Sequence, residues 1–97
     1  MSVPRESGLV TADTLIKSGQ GFVYSITLAY KGVSAGEIVT LNDLAALGTT
    51  NDTVVFVFPG ANGTFHFEWP KGKKFQNGIV FNKGATGGSV YAELTYR

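Results

Sequence analysis

Short runs of alternating apolar and polar residues follow one another along this chain. In Thr64-Phe65-His66-Phe67-Glu68-Trp69 the large aromatic residues take every second place. Strand side chains alternate with period two. Phe65, Phe67 and Trp69 are therefore expected on one buried face, and Thr64, His66 and Glu68 on the other. Phe22, Tyr24, Ile26, Leu28 and Tyr30 alternate with Val23, Ser25, Thr27 and Ala29, which predicts a long strand with one buried side. The closing run puts Val90, Ala92, Leu94 and Tyr96 on one face and Tyr91, Glu93, Thr95 and Arg97 on the other.

Turn residues separate further short runs. Leu9 to Ala12 and Thr14 to Lys17 read as a first strand with a kink near Asp13. Glu37 to Asn42 and Ile79 to Asn82 read as short strands. Thr53-Val54-Val55-Phe56-Val57-Phe58 is almost continuously apolar, which suggests a central strand covered on both faces, or on one face by another subunit. Asp43 to Leu47 is too short for a stable helix and reads as a loop. Ser18-Gly19-Gln20-Gly21, Pro59-Gly60-Ala61-Asn62-Gly63 and Gln76-Asn77-Gly78 are turn signals, Lys71 to Lys74 a basic bend, and Phe75 is expected to tuck into the core. About seven or eight short strands with such turns predict an all-β fold: a single small antiparallel β-sandwich, jelly-roll-like, over residues 9–97, preceded by a flexible polar arm over residues 1–8. The alternation does not reveal strand order.

Ninety-seven residues make one domain with a modest core, to which seven Phe, four Tyr and one Trp contribute much of the volume. With no cysteine there is no disulfide framework and no thiolate metal site. A net charge of +1 argues against direct nucleic-acid binding, and no apolar stretch approaches the roughly 20 residues of a membrane span. The polar start, Met1 to Ser7, is not a secretory signal, so folding in a reducing cytosol is expected. On that ground the sequons Asn51-Asp52-Thr53 and Asn62-Gly63-Thr64 read as turns.

Candidate chemistry is sparse. His66 is the single imidazole, with Glu68 beside it on the polar face of its strand; two such ligands do not make a metal centre. Glu68 and Glu93 share the polar faces of strands, but nothing in the sequence brings them to the separation of a glycosidase pair. There is no Gly-x-Ser-x-Gly elbow, and the glycines are spaced as turns, not as a phosphate loop. No enzyme, cofactor or metal is expected. Lys71, Lys73 and Lys74 form either a solvated turn or a contact with an acidic patch on a partner. Trp69 and the tyrosines allow a sugar-stacking platform, although the phase of Trp69 points to the core. The apolar face of Val54, Phe56 and Phe58 needs a cover, from the second sheet or from another subunit.

Several segments resemble small structural proteins of tailed-phage particles, of the head decoration or cement type. They are Ser7 to Ala12 with Leu15 to Gly21, Ile38 to Asp43, Phe65-His66-Phe67-Glu68-Trp69-Pro70, Phe75-Gln76-Asn77-Gly78-Ile79, and the closing Val90 to Tyr96. The resemblance spans nearly the whole chain and carries no catalytic residues. It implies a virion protein, made in the host cytoplasm, that sits as a homotrimer on the major capsid protein and stabilises the head. Pro4, Arg5, Lys71, Lys73 and Lys74 are the expected capsid contacts, and Phe56, Phe58 and Tyr91 the expected subunit contacts. A tail, neck or baseplate component and a carbohydrate-binding sandwich are the alternatives.

Overall fold

The computed structural model describes residues 4–84 and 87–97. Among these residues eight strands alternate with turns: β1 Arg5–Glu6, β2 Thr14–Ser18, β3 Gly21–Lys31, β4 Ile38–Asn42, β5 Asp52–Val57, β6 Asn62–Phe75, β7 Gly78–Asn82 and β8 Ser89–Tyr96. They form two antiparallel four-stranded sheets, in the orders β1-β8-β3-β6 and β2-β7-β4-β5. In four bonded pairs the strands match from opposite ends of the chain: β1 with β8, β2 with β7, β3 with β6, β4 with β5. The chain is thus one long hairpin with its tip at β4–β5. It is rolled so that successive pairs fall in alternate sheets, and the β3–β8 and β4–β7 ladders close the roll. This is a jelly roll, and the β-sandwich read from the alternation is the fold.

The core lies between the sheets. Val90, Ala92 and Leu94 on β8, Val39 and Leu41 on β4, Ile79 and Phe81 on β7, and Phe75 all face it. Each large side chain buried there contributes about 1.5–3 kcal/mol by leaving water. Asp43 to Leu47 is irregular, as expected of the short apolar stretch.

Three strands depart from the alternation. In β3 the inward residues are Val23, Ile26 and Leu28, while Phe22 and Tyr24 lie half-buried outside the core cluster. The register shifts between Val23 and Ser25, and the extra residue of a bulge moves the strand onto the other phase. Opposite this point Trp69, Pro70, Lys71 and Gly72 face Tyr24 alone. The basic bend is therefore an irregularity inside the long β6, turned by Gly72 at φ +85° with Phe22 and Tyr24 packed against it.

The apolar run in β5 is not a central strand. β5 is the edge of its sheet, with Val55 48% and Val57 62% exposed. β6 is likewise an edge, so Phe65 and Phe67 point to the interior beside Leu28 and Ile26 yet remain 40% and 43% exposed. Covered on both faces, together with β4 from Val39 on, is β7. Its outer side, Val80 and Asn82, lies with Thr40 and Asn42 beneath the loop of residues 43–51. Asn42 holds that loop: its Oδ1 accepts from Thr40 Oγ1 (2.5 Å) and Asn82 Nδ2 (3.0 Å), and its Nδ2 donates to Thr50 O (2.7 Å) and Asp52 Oδ1 (2.6 Å).

Candidate functional site

Most of the acidic side chains hold the fold. Asp13 Oδ1 accepts from the backbone N–H groups of Lys83 (2.8 Å) and Gly84 (3.2 Å). Glu37 accepts from the N–H groups of Ser34 (2.5 Å) and Gly87 (2.9 Å); the Ser34 bond first, then the Gly87 bond, holds its carboxyl below the ordinary glutamate value. Asp43 accepts from the N–H groups of Gln76, Asn77 and Gly78 at 3.0, 2.6 and 3.3 Å. Partial burial pushes Asp43 up, but the bonds from Asn77, Gln76 and Gly78 together outweigh it and leave the carboxyl lowered. Each of these carboxylates ties a loop that the strands alone would leave loose. The sequons do turn work as well: Asn51 sits at φ 57°, and Asn62 Oδ1 accepts from Gly32 N–H at 3.0 Å.

His66 and Glu68 lie side by side as their spacing required, with Nε2 3.0 Å from Oε1. Thr27 Oγ1 stands 2.7 Å from His66 Nδ1. Alternation along one strand could not reveal Thr27, because it enters through the β3–β6 register. The three make a hydroxyl–imidazole–carboxylate chain on the outer face of the sheet. Backbone groups around Thr27 are engaged in ladders with β6 and β8, which leaves no free N–H group beside it for an oxyanion. Glu93 lies across from Thr27 on β8.

The basic residues gather at one end of the sandwich. Arg5, Tyr96, Val23 and Lys73 form one row across β1, β8, β3 and β6, so Arg5 and Lys73 stand about 14 Å apart at the usual strand spacing. Beside this row Arg97 pairs with Phe22, and Phe22 with Lys74. The Arg97 guanidinium lies 5.7 Å from the Phe22 ring and 5.8 Å from the Tyr24 ring. Lys71 stands in the β6 irregularity, and the Lys17 stem reaches Gly21. Arg5, Lys17, Lys71, Lys73, Lys74 and Arg97 are thus together, six of the eight basic residues. Among the described residues no lysine or arginine touches a carboxylate; the one acid–base contact is His66 Nε2 with Glu68 Oε1. Glu6 and Glu68 stand one row further in, so the charge is graded along the sheet.

The expected contact residues divide between surfaces. Pro4 and Arg5 are exposed, and Arg5 is already paired as β1, so the chain joins the sheet before residue 9; Ser7 follows, donating to Leu94 O and accepting from Leu94 N–H. Met1, Ser2 and Val3 of the arm lie outside the described residues. Phe58 is 2% exposed and packs against Tyr30 within the chain's own core, so it has no surface to offer a neighbour. Phe56 lies on the inner side of β5, against Phe65 at 5.6 Å. Tyr91 is on the outer face of the other sheet, beside Ala29. The fold does not bring these three aromatic residues together.

An open groove of about 480 Å³ lies between the β5 and β6 edges, lined by Leu28, Tyr30, Phe56 and Phe65 and by the β5 edge at Val55 and Val57. Along β6 an aromatic row continues from it: Phe65 to Phe67 at 6.3 Å and Phe67 to Trp69 at 4.8 Å. Comparison with protein-family models, with curated proteins and with solved structures finds no match for this chain. Its surfaces are therefore read from their own chemistry.

Proposed function

We propose that this protein is a structural component of tailed-phage particles that binds the outside of the major capsid protein and stabilises the head. The basic end carries the reading. Two segments far apart in sequence, Pro4–Arg5 and Lys71–Lys74, come to the same end of one sheet. With Lys17 and Arg97 they present cations that have no carboxylate partner among the described residues. An overall charge of +1 does not reveal this, because Asp13, Glu37 and Asp43 are drawn elsewhere to hold loops. A rigid jelly roll with one basic end suits contact with an acidic protein surface. The resemblance of its segments to small virion proteins supports the same reading. Binding across neighbouring capsid subunits would then oppose the outward pressure of packaged DNA.

Decoration-free heads assembled from the partner capsid protein test this. The protein should co-sediment with them to saturation and raise the temperature at which they open. Failure to bind heads at low ionic strength, where charge contacts are strongest, overturns the proposal.

The aromatic row favours one other reading. Phe65 and Phe67 are part-exposed in line with Trp69, as a glycan platform requires. Quenching of Trp69 fluorescence by a panel of glycans would establish that function; unchanged emission would remove it.

A further inference from the structure

Among the described residues the open edge of β5 differs from every other sheet edge. β1 is only two residues long, and both are charged. β2 carries Lys17 and a register shift. β6 carries Pro70, Lys71, Lys73 and Lys74 and its own irregularity. These are the usual guards against strand addition. After its first residue, Asp52, β5 has no charge, no proline and no glycine through Val57, and Phe58 continues the apolar run.

Its free backbone groups can be assigned. Phe58 donates to Glu37 O and its carbonyl accepts from Gly36 N–H, so Phe58 turns both groups towards β4. Backbone direction alternates along a strand, so Phe56 and Val54 also bond to β4. The N–H and C=O groups of Val55 and Val57 therefore point out along the open edge, where both side chains are also exposed.

We propose that two copies of this chain pair antiparallel through β5, about a two-fold axis at Phe56, joining their β2-β7-β4-β5 sheets into one. In that register Val55 of each copy lies opposite Val57 of the other, and each pair exchanges both of its backbone hydrogen bonds. The strand is its own complement: no charged side chain falls opposite another between Thr53 and Pro59. Pro59, which has no N–H group, ends the pairing. On the outer face the valines of both copies join Ile38, which is exposed beside Val57. The added strand also extends the β5 wall of the groove. A strand with a charged residue opposite Val55 or Val57 would lose these contacts, so a second β5 is the occupant the edge favours. A two-fold pair uses up the edge in both copies, which a free apolar β-edge needs if it is not to add strands without limit. The pairing makes a dimer, not the homotrimer that the resemblance implies.

Light scattering of the purified protein over a range of concentrations tests this. The expected mass is twice that of the 10.3 kDa chain. Val55→Lys and Val57→Pro each guard the edge without removing a β4–β5 hydrogen bond, and each should return the mass to 10.3 kDa with an unchanged far-UV circular dichroism spectrum. If Val57→Pro unfolds the chain, Val55→Lys alone decides. A wild-type monomer, a trimer, continuous growth with concentration, or a dimer that Val55→Lys leaves intact overturns the pairing. Capsid binding by the Val55→Lys monomer is scored separately, so the two proposals fail independently.

Discussion

Asn42 and Asn82 share a hydrogen bond across the outer face of one sheet, Asn82 Nδ2 donating to Asn42 Oδ1 at 3.0 Å. The same Asn82 nitrogen donates to Gly48 O at 2.6 Å, so both amides clamp the loop of residues 43–51 over β4 and β7. Asn42 has no exposed surface, and its amide oxygen and nitrogen each make two bonds. A buried network of this kind stabilises only while every member is paired.

Asn42→Leu should therefore destabilise the fold by about 2–4 kcal/mol, because it takes from the buried Thr40 hydroxyl and the buried Asn82 amide their bonds to Asn42 Oδ1. Asn42→Asp should cost more at neutral pH, since it faces Asp52 and the Thr50 carbonyl with a second negative charge. Urea unfolding at pH 7 and again near pH 4 checks both. The gap between Asp and Leu should narrow at the lower pH.

Asp43 gives the fold a dependence on acid. Its carboxyl is lowered in the folded state, so its contribution is fully present above the ordinary aspartate value, about pH 4, and is lost as pH falls through the lowered value. Asp43→Asn should reduce stability at pH 7 by about 1 kcal/mol, a figure kept small because the group faces solvent. Wild type and variant should converge as the pH falls below the lowered value. Melting temperatures measured across this range would contradict the assignment if the difference were constant.

Gly78 lies where the Asp43 loop meets the β6–β7 turn. A Cβ there would overlap the Leu44 carbonyl and approach the Lys17 carbonyl to 2.7 Å. Both obstacles are backbone, so the neighbours cannot swing away. Gly78→Ala is expected to cost about 2–3 kcal/mol, in the range of an overpacked core. Gly60→Ala meets open space and serves as the control, with little change in melting temperature.

Charge reversal at the basic end separates contact from folding. Lys71→Glu with Lys74→Glu changes exposed residues and should leave the melting temperature within about 1 °C. Head binding should fall at least about tenfold and should lose its dependence on salt. Equal binding by the double variant would show that the basic end is not the contact.

The strands were legible wherever one face meets the core and the other meets water. β8 follows its alternation residue by residue, with Val90, Ala92 and Leu94 inside and Tyr91 and Glu93 outside. β5 misled because a continuous apolar run has the same composition whether its second face is covered by a loop, by another copy or by nothing. β3 misled for a geometric reason: a bulge shifts the phase by one, and the sequence around Val23 and Ser25 carries no mark of it.

Among the candidate sites, the pairing of His66 with Glu68 followed from spacing alone. The gathering of Arg5 with Lys73 did not, since it depends on Tyr96 and Val23 lying between them in a particular register. The roles of Asp13, Glu37 and Asp43 were equally hidden, because their partners are backbone N–H groups of remote turns, which every sequence supplies and none announces.

By itself, then, the sequence determined the element type, the approximate limits of most strands though not of β6, and most core residues, because period-two burial and turn chemistry are local properties. Tertiary structure alone decided strand order, which strands became edges, and which charges met. Those depend on loop closure and on cross-strand register, where a shift of one residue moves every later side chain to the other face.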